Sequence, residues 1–321
     1  MATIFLFLIL FCSLLFYIEI ANKFNIIDKP NNRSSHAQST VRGGGIIFPF
    51  SVLLYSLYSN FAYPYFIIGL SLISIISFLD DLFTVSNKLR LLIHLIAVTL
   101  LFYELGLFEI HFLILALVFL FITGIVNAYN FMDGINGITV LYSLSIIFSI
   151  YFLDYYVTPV VKENFLLPII SSLLIFGFFN IRKRAIVFAG DVGSVSMAFI
   201  IVFLLLKVMI QTHSYVWIFF LSFYGIDTVF TIIFRLFRKE NIFKAHRSHF
   251  YQFLANEKNI KHIYVSLTYS VFQFIYNIII IYCFLHHNLI VPFIILFLLL
   301  LIYLSIRFKL EGKTRLMNKY V

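Results

Sequence analysis

Charged side chains are scarce in this sequence. Asp, Glu, Lys and Arg make up 12% of its 321 residues and 62% are hydrophobic, against roughly 25% charged and 45–50% apolar in soluble domains. A water-soluble core of this composition is excluded. Cysteine is almost missing: Cys12 and Cys283 both lie inside apolar runs, too few for a disulfide framework or a thiolate metal site. The first apolar stretch, Thr3 to Ile20, lacks the basic residues that precede a secretory signal, and Lys23 follows it instead, so a retained first span is expected. There is no internal repeat, no low-complexity linker and no separate soluble segment, so residues 1–321 read as one integral membrane domain.

What is present is a succession of apolar runs long enough to cross a hydrocarbon slab about 30 Å thick, which takes roughly 20 helical residues. Eleven spans are expected, near 2–21, 45–59, 63–79, 91–105, 111–129, 137–153, 164–181, 194–210, 215–237, 264–285 and 289–306. Short turns alternate with longer polar loops, which gives the chain two sides. Lys and Arg number four in 22–44, two in 80–90, three in 182–193, seven in 235–263 and five in 307–321, together 21 of the chain's 23. The positive-inside rule then places these loops and the C-terminus in the cytoplasm and the N-terminus outside. The expectation is an all-α polytopic membrane protein with its active site on the cytoplasmic face. A net charge of +9 would also suit nucleic acid, but the charges sit in separate loops along one membrane face and answer to lipid head groups or phosphates instead.

Acidic residues near membrane depth are costly and therefore informative. Asp80, Asp81, Asp133 and Asp191 all stand at cytoplasmic span ends, in three different loops. Asn127, Asn130, Asp133 and Asn136 are spaced i+3 and form a polar ridge if helical. Each alone reads first as a helix cap. Together, carboxylates and amides beside basic loops suit a hard cation, Mg²⁺ or Mn²⁺ in its place, bridging phosphate oxygens.

Gly190-Asp191-Val192-Gly193-Ser194 opens an apolar helix, with Ser194 available as cap, an arrangement that favours phosphate or is simply a helix start. Arg42-Gly43-Gly44-Gly45 is a second glycine turn on the same side, where Arg42 is a ligand group or only a topology charge. His246-Arg247-Ser248-His249 offers two histidines three apart; with no Cys or acid close in sequence, sugar or phosphate contact is preferred to zinc. Asp227 lies eight residues before Arg235 in the ninth span, about 12 Å deeper at 1.5 Å per residue. Lining the site and holding helices together are both open for it.

Taken in order, these motifs resemble the polyprenyl-phosphate N-acetylhexosamine-1-phosphate transferases (the WecA, WbpL and MraY type) over nearly the whole chain. The resemblance rests on Arg33-Ser34-Ser35-His36 and Arg42-Gly43-Gly44-Gly45, Asp80-Asp81 with Lys88 and Arg90, the Asn127 to Gly137 motif, Phe179-Asn180 leading to Gly190 to Ser194, and His246 to His249. Departures are Asn136 where aspartate is frequent, Gln38-Ser39-Thr40-Val41 in place of a proline-rich stretch, and Arg182-Lys183-Arg184 in place of Pro-Ala-Lys. The histidine loop is closer to the WbpL-like initiators of surface polysaccharide (O-antigen or capsule) than to MurNAc-pentapeptide enzymes. The resemblance implies a bacterial inner-membrane enzyme, with a homodimer among the possible assemblies. A UDP-N-acetylamino sugar would give up its sugar 1-phosphate to polyprenyl phosphate, releasing UMP. In that scheme Asp191 with Asn136 binds the metal. Asp80 accepts a proton from the lipid phosphate, supported by Asp81. Asn127, Asn130 and Asp133 take the nucleotide, and His246, Arg247 and His249 the sugar or its phosphate, with Arg42 and Lys88 in the substrate-binding set. A covalent aspartyl-phosphate route is the alternative that the resemblance leaves open. A carrier or flippase for lipid-linked anions would want ionisable groups at mid-membrane and inverted repeats, whereas only Asp227 is deep. A CDP-alcohol phosphotransferase would need Ala-Arg after Asp133-Gly134, where Ile135-Asn136 stands.

Overall fold

The computed structural model describes residues 2–29, 39–242, 244 and 246–318. Helix α1 (Ala2–Lys23) leads into two short strands, β1 (Ile27–Asp28) and β2 (Thr40–Val41), paired antiparallel with Ile27 opposite Val41. Then follow α2 (Ile47–Tyr58), entered through a 3-10 turn at Gly44–Ile46, α3 (Pro64–Leu82), α4 (Asn87–Glu104), α5 (Phe112–Met132), α6 (Ile138–Tyr156), α7 (Leu166–Asn180) and α8 (Gly190–Thr212). Helix α9 (Ser222–Phe237) continues a 3-10 segment at Val216–Leu221, and the described chain closes with short α10 (Phe250–Asn256), α11 (His262–Leu285), α12 (Ile290–Glu311) and short α13 (Lys313–Met317). Each of the eleven expected spans falls on a helix. By length and composition eight of the described helical segments can cross a membrane, while Gly44–Tyr58 and Leu166–Asn180 are shorter apolar helices and α4 carries Lys88, Arg90 and His94 in its first half. The fold is that of a polytopic, all-α membrane protein, with one two-stranded pairing that hydropathy gives no hint of.

Burial pattern tells which helices face lipid. Helix α8 is buried without interruption from Val192 to Leu205, as a helix apolar on every face must be if it sits at the centre. Helices α2, α3, α5 and α6 pack on it, and α6 also packs on α7 and α11. In α5 the buried residues are Ile122, Val126, Tyr129 and Met132, a single i, i+3/i+4 stripe, while Phe112, Leu113, Leu117, Leu120 and Phe121 are exposed. Those exposed apolar faces match hydrocarbon rather than water. Helix α12 is the most peripheral, with only Pro292 and Arg307 buried.

Several helices run further than the apolar runs that announce them. Helix α3 continues to Leu82, α4 starts at Asn87 behind the Ser86 cap (Leu89 N–H to Ser86 Oγ, 3.3 Å), α5 continues to Met132 and α8 starts at Gly190. Hydropathy ends with the last apolar side chain, but the backbone ladder continues while amides find partners. Polar residues expected in loops therefore stand on rigid helix ends.

Candidate active site

The two glycine motifs, almost 150 residues apart, interlock. Gly44 N–H donates to Phe188 O (2.9 Å), Gly45 N–H to Ala189 O (3.0 Å) and Phe188 N–H to Val41 O (2.8 Å), while Val41 bridges Val187 in parallel. A Cβ on Gly45 would lie 2.3 Å from the Gly193 Cα, and one on Gly190 would lie 2.5 Å from Asp81 Oδ2 and 2.9 Å from the Gly43 Cα. Gly190 also has φ +71°, a conformation open to glycine at little cost. Glycine is thus required for backbone-to-backbone contact, and that contact delivers Arg42 to the carboxylates.

Arg42 bridges two of them: Nε lies 2.7 Å from Asp81 Oδ1 and Nη2 3.2 Å from Asp191 Oδ1. Burial works against its charge, but Asp81 and Asp191 outweigh this and hold the guanidinium pKa above its ordinary value. Tyr17 Oη donates to the Arg42 carbonyl at 2.6 Å and fixes the loop from α1. The Asp81 side chain is fully buried, and its oxygens accept the Asp191 N–H (2.9 Å) and the Val192 N–H (3.0 Å). Asp81 is thus the cap of α8. The expected cap, Ser194, lies a turn inside the helix; its hydroxyl donates to Gly190 O (3.2 Å) and accepts from Asn130 Nδ2 (3.0 Å). Asp80, about 100° round the same helix, turns the other way. It pairs with Arg90 through a short contact and accepts the Val85 N–H at 3.0 Å. Lys88 is exposed on the first turn of α4. The neighbouring aspartates therefore serve different partners.

The i+3 ladder is only half helical. Asn127 and Asn130 lie in α5, Asp133 is the residue that ends it, and Asn136 lies in the turn before α6, so one continuous ridge does not form. Asn127 is exposed, and Asn130 reaches α8 through Ser194. Asp133 accepts the Thr139 hydroxyl. Burial pushes its pKa from 3.8 to about 6, the Thr139 bond pulling down and the Asp191 charge adding to the rise. Asn136 donates Nδ2 to the Arg182 carbonyl (2.9 Å) and its own carbonyl accepts the Ser266 hydroxyl (2.9 Å), so its described contacts run to the 180–187 loop and α11 and not to Asp191. Asn180 ties that loop in, accepting the Gly137 N–H (2.7 Å) and donating to Val187 O (2.9 Å).

The histidine loop reaches this cluster by way of α5. Tyr251 Oη donates to Phe131 O at 2.8 Å, and a Cβ on Gly134 would lie 2.2 Å from that hydroxyl. The loop is organised by Asp227, fully buried, which accepts His249 Nδ1 (3.3 Å), the Phe250 and Tyr251 N–H groups (3.0 and 3.1 Å), the Tyr269 hydroxyl (2.5 Å) and the Thr231 hydroxyl (3.2 Å). Of the two readings left open for Asp227, these contacts are those of a structural hub, one that also holds His249. Arg307, buried in α12, donates to Ser248 O (2.6 Å), Thr231 Oγ1 (2.9 Å) and Tyr303 Oη (2.8 Å). Arg235 holds the carbonyls of Asn241, Ile242 and Lys244. In the sequence both arginines count only as topology charges, and their burial on helix faces has no signal there. His246 stacks on His249 with centroids 5.0 Å apart. Burial, reinforced by the positive charges of Arg235 and Arg238, lowers the His246 pKa to about 3, so it is neutral in ordinary conditions. Arg247 is half-buried beside it. Arg33-Ser34-Ser35-His36 lie outside the described residues.

Among the described residues no group of three or more His, Cys, Asp and Glu side chains is placed to hold a metal ion. A zinc site at the histidine loop gains nothing from this arrangement, with His249 Nδ1 engaged by Asp227. Mg²⁺ asks for less: one or two carboxylates, with water and substrate phosphate completing the shell. Asp191, 27% exposed at its side chain, and Asp133, close enough to feel its charge, supply oxygen donors of that kind, so the donor chemistry fits.

The family model of glycosyl transferase family 4 matches residues 63–209. The chain is 29% identical over 252 residues to a probable undecaprenyl-phosphate N-acetylglucosaminyl 1-phosphate transferase of Bacillus subtilis, covering 72% of this chain and 70% of the relative. It is 31% identical over 127 residues to an undecaprenyl-phosphate alpha-N-acetylglucosaminyl 1-phosphate transferase of Thermotoga maritima, covering 37% of this chain and 40% of that one.

Proposed function

From the glycosyl transferase family 4 match and the likeness to undecaprenyl-phosphate N-acetylglucosaminyl 1-phosphate transferases, we propose that the chain is a polyprenyl-phosphate N-acetylhexosamine-1-phosphate transferase, which transfers the sugar 1-phosphate of a UDP-N-acetylamino sugar to polyprenyl phosphate. The products are polyprenyl-diphospho-sugar and UMP, and the reaction is the first membrane step of a surface polysaccharide such as O-antigen or capsule. The observation that carries the reading is the joining of Arg42, Asp81 and Asp191 from three separate segments by interlocked glycine turns, with Asp133 near enough for the Asp191 charge to raise its pKa. Phosphoryl transfer between two anions depends on charge neutralisation and alignment, and rigid helix ends carrying carboxylates and a guanidinium suit that demand.

In this reading Asp191 and Asp133 would hold Mg²⁺, or Mn²⁺, which would neutralise the diphosphate when bound, while Asn136 stays tied to the Arg182 carbonyl. Asp81 and Arg42 hold the first turn of α8 and so the position of Asp191. Asn127, Asn130 and Asp133 face the nucleotide, and Asp80 takes the proton of the lipid phosphate, with Arg90 fixing its orientation. Arg247 takes phosphate, because a neutral His246 has no charge to offer. An apolar groove of about 540 Å³ between α5, α9 and α12, lined by Phe121, Ile125, Tyr129, Ile226, Val229 and Leu296, supports the binding of a prenyl chain. The polar loops face the cytoplasm, eleven helices span the bacterial inner membrane, and the N-terminus lies outside. The rival carrier reading loses its main support, since the one deep carboxylate, Asp227, accepts five internal hydrogen bonds.

Membranes containing the protein, given polyprenyl phosphate and a panel of UDP-N-acetylamino sugars, are expected to release UMP in the presence of Mg²⁺, to stop on chelation and to resume on adding Mg²⁺ back. Asp191→Asn should abolish release at normal expression. Absence of UMP with every sugar would refute the assignment.

A further inference from the structure

The Asp227–His249 contact has a chemical consequence beyond packing. Asp227 Oδ1 accepts the Phe250 N–H at 3.0 Å and Oδ2 the Tyr251 N–H at 3.1 Å, and its other partners are the hydroxyls of Thr231 and Tyr269. An oxygen engaged in this way presents a lone pair to His249 Nδ1 at 3.3 Å, so the ring proton resides on Nδ1. The opposite nitrogen, Nε2, is buried and has no hydrogen-bond partner among the described residues. Buried polar atoms normally have partners. This one belongs to a ring flanked by those of Phe131 and His246, at centroid distances of 6.3 and 5.0 Å.

We infer that Asp227 is a positioning residue that holds His249 in its Nδ1–H form, so that Nε2 serves as a hydrogen-bond acceptor for a hydroxyl or amide N–H of the amino sugar. The inference rests on the transfer reading above and sharpens it. An acceptor nitrogen selects a donor group of the sugar and repels phosphate oxygen, leaving phosphate to Arg247. His246, half-buried on the more exposed side of the stacked pair, is the ring the sugar displaces on reaching Nε2.

The test uses the full chain in lipid nanodiscs with ¹⁵N-labelled histidine, the His249 signals being identified by their loss in His249→Gln. Wild type should show a protonated Nδ1 and an unprotonated Nε2 near neutral pH; a protonated Nε2, in the other tautomer or the cation, overturns the inference. In Asp227→Asn the amide cannot accept from every donor at once, so the single tautomer should be lost. The KM for the sugar nucleotide should then rise about tenfold, the value of one hydrogen bond, while the KM for polyprenyl phosphate holds. Tyr269→Phe removes one donor from the same carboxylate and should leave the tautomer and both KM values unchanged. An equal rise in KM for Tyr269→Phe, or equal changes for both substrates in Asp227→Asn, reduces Asp227 to a structural part and overturns the inference. If Asp227→Asn does not fold, the wild-type spectrum decides alone. Failure of wild type to release UMP would count against the transfer reading and leave the tautomer measurement intact.

Discussion

Replacing Asp133 by Asn should make the protein more stable while removing its activity. Asp133 lies between α5 and α6, outside both, and its pKa is raised from 3.8 to about 6 chiefly by burial. The folded protein therefore holds this proton more tightly than the unfolded chain. As pH rises from about 4 to about 6 the unfolded chain has already lost the proton while the native state retains it, so stability falls through that window and the full penalty is present above it. Two pKa units at 1.36 kcal/mol each set the penalty at about 3 kcal/mol. Asn keeps an oxygen for the Thr139 hydroxyl but carries no charge, so at about pH 7.5 Asp133→Asn should be more stable by up to about 3 kcal/mol, a rise of several degrees in melting temperature. The gain should shrink through pH 6 and vanish near pH 4. Melting curves of both proteins in nanodiscs across that range, with UMP release measured in parallel, provide the check. An Asn variant no more stable than wild type at pH 7.5, or a difference that does not change with pH, would refute the reasoning.

Arg42→Ala leaves the fully buried Asp81 without its cation, which should cost about 3–5 kcal/mol and eliminate turnover; folded yield and UMP release report both. Gly45→Ala places a methyl group 2.3 Å from the Gly193 Cα and 2.8 Å from Ala189 O, backbone atoms that cannot yield cheaply, so a loss of about 1–3 kcal/mol or more is expected, read as a fall in monodisperse protein after extraction. Arg307→Met removes the buried ion-pair partner of Glu311 and the donor to Ser248 O and should cost about 3–5 kcal/mol, with faster proteolysis in the loop that Arg307 holds.

Helices were legible because the solvent is hydrocarbon: an apolar run of sufficient length has few alternatives there, and every expected span lies on a helix. The order of the motifs was legible too, since it is a property of the sequence. Partnerships were not. Asp80 and Asp81 look like a pair in sequence, yet the helical turn sends one to Arg90 and the other to Arg42 and the first amides of α8. Ser194 looks like a cap, but α8 begins a turn earlier because Asp81 supplies acceptors from another helix. The Asn127 to Asn136 ladder assumes a helix that stops at Met132. The strand pair and the Val41–Val187 bridge depend on contacts between distant segments, for which a single sequence carries no signal. Arg235 and Arg307 were counted as surface charges because a positive-inside tally treats each cation alike, whether it meets lipid head groups or carbonyl oxygens inside the protein.

The acidic residues divide by the number of donors each has acquired. Asp227 has five, and Asp81 has a guanidinium and two backbone amides; both are saturated, buried and structural in their contacts. Asp191 has Arg42 on one oxygen, and Asp133 has the Thr139 hydroxyl on one oxygen, with no further partner for either among the described residues. Arg42 is shared, so its single positive charge is divided between Asp81 and Asp191 and reaches Asp133 only at a distance. The result is a local excess of negative charge at the junction of α5 and α8, unfavourable for folding on its own and favourable for a divalent cation. A fold that needed only stability would have removed one of these carboxylates or given it a cation of its own. Two under-partnered carboxylates beside one shared arginine are the physical reason for proposing the diphosphate chemistry at Asp133 and Asp191 and for treating Asp81 and Asp227 as the groups that hold the parts in place.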